Sequence, residues 1–100
     1  MWYNSLMNII TSKSNNGIKK VKKLHQKKYR IDSYLIEGWH LYEEAINHQA
    51  PIEQVFVLEE FVDKVKKDTK VTIVSPEVLA EIADSKSPQG IVAEIKIQPI

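Results

Sequence analysis

Apolar residues recur along this chain with two periods, one helical and one extended. After the turn-forming run Ser12-Lys13-Ser14-Asn15-Asn16-Gly17, the apolar Ile18, Val21 and Leu24 return at helical spacing. Lys19, Lys20, Lys22 and Lys23 occupy the other side, so this is an amphipathic helix with a positive outer face. Ser14 or Asn15 supplies the side-chain oxygen that caps its first free amides. A polar stretch from Gln26 to Asp32 follows, and Tyr34-Leu35-Ile36 reads as a short buried strand. Glu37-Gly38 ends it, the glycine allowing a sharp turn into the next element. Trp39 to His48 is helical, with Trp39, Tyr42, Ala45 and Ile46 inward and Pro51 just beyond its end.

The second half repeats the alternation. Ile52 to Leu58 is rich in β-branched and aromatic side chains and predicts a strand. Phe61 to Lys67 predicts a short helix, and Val71 to Val74 a third strand. Ser75-Pro76-Glu77 is a helix start: serine at the cap, proline at the first position and glutamate in the first turn. Val78, Leu79, Ile82 and Ala83 form the apolar stripe of that helix. Ser85 to Gly90 is a loop and Ile91 to Ile97 a fourth strand. Strand and helix in alternation predict an α/β domain with a mostly parallel four-stranded sheet and right-handed crossovers. The near-continuous apolar strands imply helices on both faces. The last strand, reached by a loop alone, has the option of running antiparallel.

One hundred residues make one domain. A hydrophobic share of 43% and a charged share of 27% are those of a globular protein. There is no cysteine, which excludes disulfides and thiolate chemistry and agrees with a reducing cytoplasm. No run approaches the roughly 20 apolar residues of a membrane span, and Met1 to Met7 lacks the layout of a signal peptide. A cytoplasmic protein with no membrane partner is the expectation.

The net charge of +1 hides a strong segregation. Lys13, Lys19, Lys20, Lys22, Lys23, Lys27, Lys28 and Arg30 fall in one segment without a single acid. The rest of the chain carries the thirteen acidic residues and only six basic ones. Such a face repels itself unless an anion is near, and it points to a polyanionic partner. Lys27-Lys28-Tyr29-Arg30 adds an aromatic to the cations, as suits RNA: lysines neutralise phosphates while Tyr29 or Arg30 stacks on a base. The other reading keeps Tyr29 packed on the domain and the cations merely solvated.

Catalytic patterns are absent from the sequence. His40, Glu44 and His48 share one helix face, but on a solvated side and without a metalloprotease pattern, so no metal is expected. Ser75, Ser85 and Ser87 have capping or loop roles, and Gly17, Gly38 and Gly90 are isolated, so neither a nucleophile elbow nor a phosphate-binding glycine loop is present.

The pieces, taken in order, resemble a known family. Ser12, Asn15, Ile18-Lys19, Leu24, Lys27 to Arg30, Leu35-Ile36-Glu37-Gly38, His40-Leu41 and Glu44-Ala45 look like the opening of SpoU (TrmH-like) RNA methyltransferases. The likeness continues through Val55-Phe56-Val57, Val74-Ser75, Val78-Leu79, Ile82 and Pro88-Gln89-Gly90-Ile91-Val92-Ala93. It implies a three-layer α/β/α sandwich similar to ribosomal proteins that bind kink-turn RNA. It also implies a division into an N-terminal extension (1–8), an RNA substrate-binding domain (9–97) and the start of a linker (98–100).

In that family a separate knotted domain binds S-adenosylmethionine, dimerises and methylates a ribose 2′-hydroxyl. Its Asn-Gly-rich motifs are not in this sequence, so no catalytic or cofactor residue carries over. These 100 residues are expected to hold no cofactor and not to be catalytic alone. The resemblance implies docking of ribosomal or transfer RNA, and the charge-segregated segment puts that contact on Lys19, Lys23, Lys27, Lys28, Tyr29 and Arg30. By analogy with the kink-turn binders the resemblance adds Glu37, Gly38 and His40, the alternative being that Glu37-Gly38 only shapes the turn. Pro88-Gln89-Gly90 is open to the same two readings. A free-standing ribosomal-protein-like module and a protein-interaction domain are the competing functions.

Overall fold

The computed structural model describes residues 9–83 and 89–97. The extension 1–8, the loop residues Ser85 to Pro88 and the linker start at 98–100 lie outside the described residues. The elements are α1 (Asn16–Lys22), β1 (Ser33–Glu37), α2 (Trp39–Asn47), β2 (Ile52–Val57), β3 (Val71–Ile73), α3 (Pro76–Ile82) and β4 (Ile91–Lys96). Three 3₁₀ turns join them: Lys23–His25, Lys27–Tyr29 and Glu59–Lys64. The helix expected from Phe61 to Lys67 is thus a tighter and earlier 3₁₀ turn. Glu59 and Glu60 open it, and Phe61 and Val62 face the core from it.

The caps follow the local chemistry. Asn15 Oδ1 accepts from the amides of Gly17 and Ile18 at 2.8 and 3.2 Å, which settles the choice between Ser14 and Asn15. Ser75 Oγ accepts from Val78 N at 3.3 Å with Pro76 at the first helical position. Gly38, at φ +92°, makes the turn from β1 into α2.

The sheet has the order β1-β4-β2-β3. The expectation of a mostly parallel sheet is corrected here: β4 runs antiparallel to both β1 and β2, and only β2 and β3 pair in parallel. β4 enters the sheet at the edge where β1 and β2 end, shown by the bonds from Gly38 N to Ile91 O and from Leu58 N to Gly90 O. A strand entering at that edge must run against its neighbours. Being the most apolar strand, it takes the centre, where Ile91, Val92, Ala93 and Ile95 are all buried. Ile10 extends the β3 edge through a parallel bridge to Val74, a pairing the sequence pattern did not indicate.

Two apolar layers cover the sheet. On one face Ile18 and Val21 of α1 and Val78, Leu79 and Ile82 of α3 pack on Phe56, Val74 and Val92. On the other, Tyr42 of α2 and Val65 pack on Val55, Val57, Ile73, Ile91, Ala93 and Ile95. The three-layer α/β/α arrangement is as expected. Among the described residues no helix is long and apolar enough to cross a membrane.

Candidate nucleic-acid interface

The first six candidate residues lie on α1 and along the two 3₁₀ turns that lead from it into β1. α1 runs into the turn Lys23–His25, and the chain bends at Gln26 into the turn Lys27–Tyr29 before entering β1 at Ser33. Leu24 is the apolar anchor of this segment, buried between the exposed Lys23 and the half-buried His25. Tyr29 stands out from the domain with 42% of its surface exposed. The ammonium of Lys23 lies 5.8 Å from the centre of its ring and that of Lys28 lies 5.1 Å away. Both distances are within the range of a cation–π contact. Lys19 and Lys27 are exposed on the same segment.

Arg30 does something the sequence did not indicate. Its Nε donates to the carbonyl oxygen of Leu24 at 2.5 Å and its Nη2 to that of His25 at 3.0 Å. These carbonyls end a helical turn and have no continuing helix to bond, so the guanidinium fork closes the loop that carries the lysines. His25 in turn faces the carbonyl of Ile82 at 2.6 Å. A carbonyl only accepts, so Nε2 carries the proton and donates it, tying the loop to the end of α3.

Not every lysine of the positive helix is equivalent. Lys22 is hydrogen-bonded to Glu81 of α3, with Lys13 a further 4.0 Å contact to the same carboxylate. The Lys22 bond and charge hold the Glu81 carboxyl below the usual carboxylate range, aided by Lys13 and His25 and opposed by desolvation. Lys22 is therefore neutralised within the domain.

Glu37, Gly38 and His40 sit at the far end of β1. A five-residue strand at about 3.3 Å per residue sets them roughly 16 Å from the basic loop. The candidate residues thus form two groups rather than one surface. Gly38 is buried, and a side chain there would meet Gln89 Oε1 at 3.0 Å. Trp39 Nε1 donates to the carbonyl of Gln89 at 2.8 Å. Next to it Gly90, at φ +93°, lies against the Phe61 ring, and Trp39 meets Tyr42 and Phe61 edge-on. Lys64 covers Trp39 and Phe61 at 5.4 and 5.3 Å from their ring centres.

Glu37-Gly38 and Gln89-Gly90 are therefore two halves of one interlock, which gives both glycines a structural task. Sequence reading singled out the two pieces and turned Trp39 and Phe61 inward, but it did not bring them together. A bulky aromatic directly after a turn glycine is the one signal that pointed there. His40 is exposed and lies 3.7 Å from Glu44. Among the described residues no group of three or more His, Asp or Glu is placed to hold a metal ion.

A three-layer α/β domain with one cation-rich segment is the class of protein that these features define. The chain belongs to the MRM3-like substrate binding domain family, whose model it matches over residues 15–93. It is 32% identical over 93 residues to the 23S rRNA (guanosine(2553)-2′-O)-methyltransferase RlmP of Bacillus subtilis (strain 168). That match takes in 87% of this chain and 37% of the relative, so the chain spans little over a third of it. Among solved structures, an RNA 2′-O ribose methyltransferase superposes with a TM-score of 0.77 at 28% identity, over 89% of this chain and 37% of that one. The AdoMet-bound rRNA methyltransferase from Sinorhizobium meliloti shares the fold, with a TM-score of 0.75 at 24% identity over 91% of this chain and 37% of that one.

Proposed function

We propose that this domain docks RNA for a ribosomal RNA 2′-O-ribose methyltransferase of the SpoU class, in the cytoplasm. The methyl transfer and the S-adenosylmethionine site belong to a catalytic domain of the same protein, which works as a homodimer. The observation that carries the reading is the convergence of Lys23 and Lys28 on the exposed Tyr29 in an acid-free loop, within a family of substrate-binding domains. Lys19, Lys23, Lys27 and Lys28 take phosphates, and Arg30 adds its charge while holding the loop.

Gly38 serves the interlock, and the exposed His40 is the residue of that edge that meets the nucleic acid. The end of β4 supports the same arrangement: Ile97 N donates to Asp32 O at 2.7 Å, two residues beyond Arg30. A domain continuing from β4 starts beside the basic loop.

Binding of a ribosomal RNA fragment to the chain, titrated at several salt concentrations, tests this. About three to five phosphate contacts give a slope of log K against log salt of about −2 to −4. Lys27→Glu with Lys28→Glu is expected to weaken binding at least tenfold and flatten that slope, with the unfolding midpoint unchanged. Affinity independent of salt, or no binding at low salt, would overturn the proposal.

A further inference from the structure

We propose that the loop from Lys23 to Arg30 selects an unpaired nucleotide, with Tyr29 as the specificity-determining residue and Arg30 as a positioning residue. The inference rests on the RNA-docking reading above and goes on to name the form of RNA that the site takes.

Tyr29 belongs to neither apolar layer of the core. The residue is exposed, and the ammoniums of Lys23 and Lys28, the ends of two flexible side chains, lie over its ring. Stacking of a base on an aromatic ring outweighs a solvent-exposed cation–π contact, so a base displaces a lysine from the ring face. The displaced ammonium stays tethered within reach of that ring, where the phosphates flanking a stacked base lie. One aromatic between two cations thus matches one splayed nucleotide and its neighbouring phosphates.

A duplex offers no such match. Its base faces are occupied by one another, and its A-form exterior presents phosphates and hydroxyls, which the lysines can meet without Tyr29. The Tyr29 ring therefore discriminates in favour of loops, bulges and ends.

Arg30 acts through its neighbours. With Nε on the Leu24 carbonyl and Nη2 on the His25 carbonyl, it sets the bend at Gln26 that brings Lys23 and Lys28 to the same ring. Lysine keeps the charge but has one ammonium in place of the planar fork.

The test measures anisotropy of a labelled, unstructured 12-nucleotide RNA and of the same strand in a duplex, against the 100-residue chain at several salt concentrations. A second strand with 2-aminopurine at its centre reports stacking. The unchanged chain is expected to bind the single strand at least fivefold more tightly than the duplex and to change the 2-aminopurine emission. Tyr29→Phe keeps both properties. Tyr29→Leu lowers single-strand affinity by about 5- to 100-fold, abolishes the emission change, and leaves duplex affinity and its salt slope as they were. Arg30→Lys loses the preference for the single strand while retaining salt-dependent duplex binding and the unfolding midpoint.

Equal, salt-dependent affinity of the unchanged chain for both forms overturns this inference and leaves RNA docking standing. So does a Tyr29→Leu variant that binds both as before. Absence of salt-dependent binding to either form overturns the docking reading, and this inference with it.

Discussion

The Phe61 ring lies where a side chain on Gly90 would go: a Cβ there would fall 2.6 Å from two of the ring's carbons. The conflict is twofold, because Gly90 also holds φ +93°, a conformation L side chains rarely adopt. Gly90→Ala therefore has to displace Phe61 from Trp39 and strain the backbone together. The expected loss is about 2–4 kcal/mol, combining backbone strain with disruption of a packed aromatic contact. Urea unfolding followed by tryptophan emission measures it, and a loss under about 0.5 kcal/mol would contradict the packing described, being no more than an ordinary surface change.

Glu94 joins three strands. It accepts from Ser33 Oγ of β1 at 2.6 Å and from Gln54 Nε2 of β2 at 2.7 Å, from its place on the central β4. Glu94→Ala leaves two partly buried donors without their acceptor and is expected to cost about 1–3 kcal/mol. Glu94→Gln keeps an acceptor oxygen and is expected to cost less. The order of the two variants in chemical denaturation is the critical reading.

Tyr42 is buried, yet its hydroxyl accepts from Lys66 N at 2.8 Å, fixing the segment after the third 3₁₀ turn to α2. Tyr42→Phe keeps the packing and removes the acceptor. A loss of about 0.5–1.5 kcal/mol follows, together with faster amide hydrogen exchange at Lys66.

Glu81 gives the domain an acid limb. Its carboxyl is held below its unfolded value by Lys22, so its contribution to stability is fully present above the unfolded carboxylate pKa. That contribution is lost as the pH falls through the lower folded pKa. Glu81→Gln is expected to flatten the fall of the urea midpoint over this acid range without altering it near pH 7 by more than a surface pair contributes. High salt should shrink the difference between the two proteins, since the pair is solvent-exposed.

Much of the fold was legible because it rests on local rules. Asn15 and Ser75 cap their helices because their side chains reach amides two or three residues away. Ile18, Val21 and Leu24 are buried because one helical stripe must face the core. Local alternation was also what misled: strand–helix–strand patterning suggests parallel neighbours, but it says nothing about where the last strand inserts. The Phe61 segment carried the right inward residues on the wrong kind of helix, since a single turn of α and of 3₁₀ present nearly the same pattern.

The candidate interface was legible in the same uneven way. Charge segregation is a property of composition, and the cation-rich segment is where Lys19 to Arg30 indicated. Which cations are spent inside the domain depends on partners far along the chain. Lys22 meets Glu81 from 59 positions away, and His25 reaches Ile82 across 57. Trp39 bonds Gln89 from 50 positions away. Arg30 bonds residues only five and six positions back, but through a bend at Gln26 that no periodicity announces.

By itself, then, the sequence determined most of the helices and strands, their inward faces and the gathering of positive charge on one acid-free segment, because each is set by interactions within a turn or two of chain. The tertiary structure alone decided that β4 fills the centre of the sheet against its neighbours. It also decided that Gly38 and Gly90 close on Gln89 and Phe61, and that Arg30 shapes the loop while Tyr29 stands exposed between two lysines. The strand order and the two glycine contacts depend on which distant segments meet, chosen by the burial of apolar surface over the whole domain, while the Arg30 and Tyr29 arrangement depends on a bend at Gln26 that no periodicity announces.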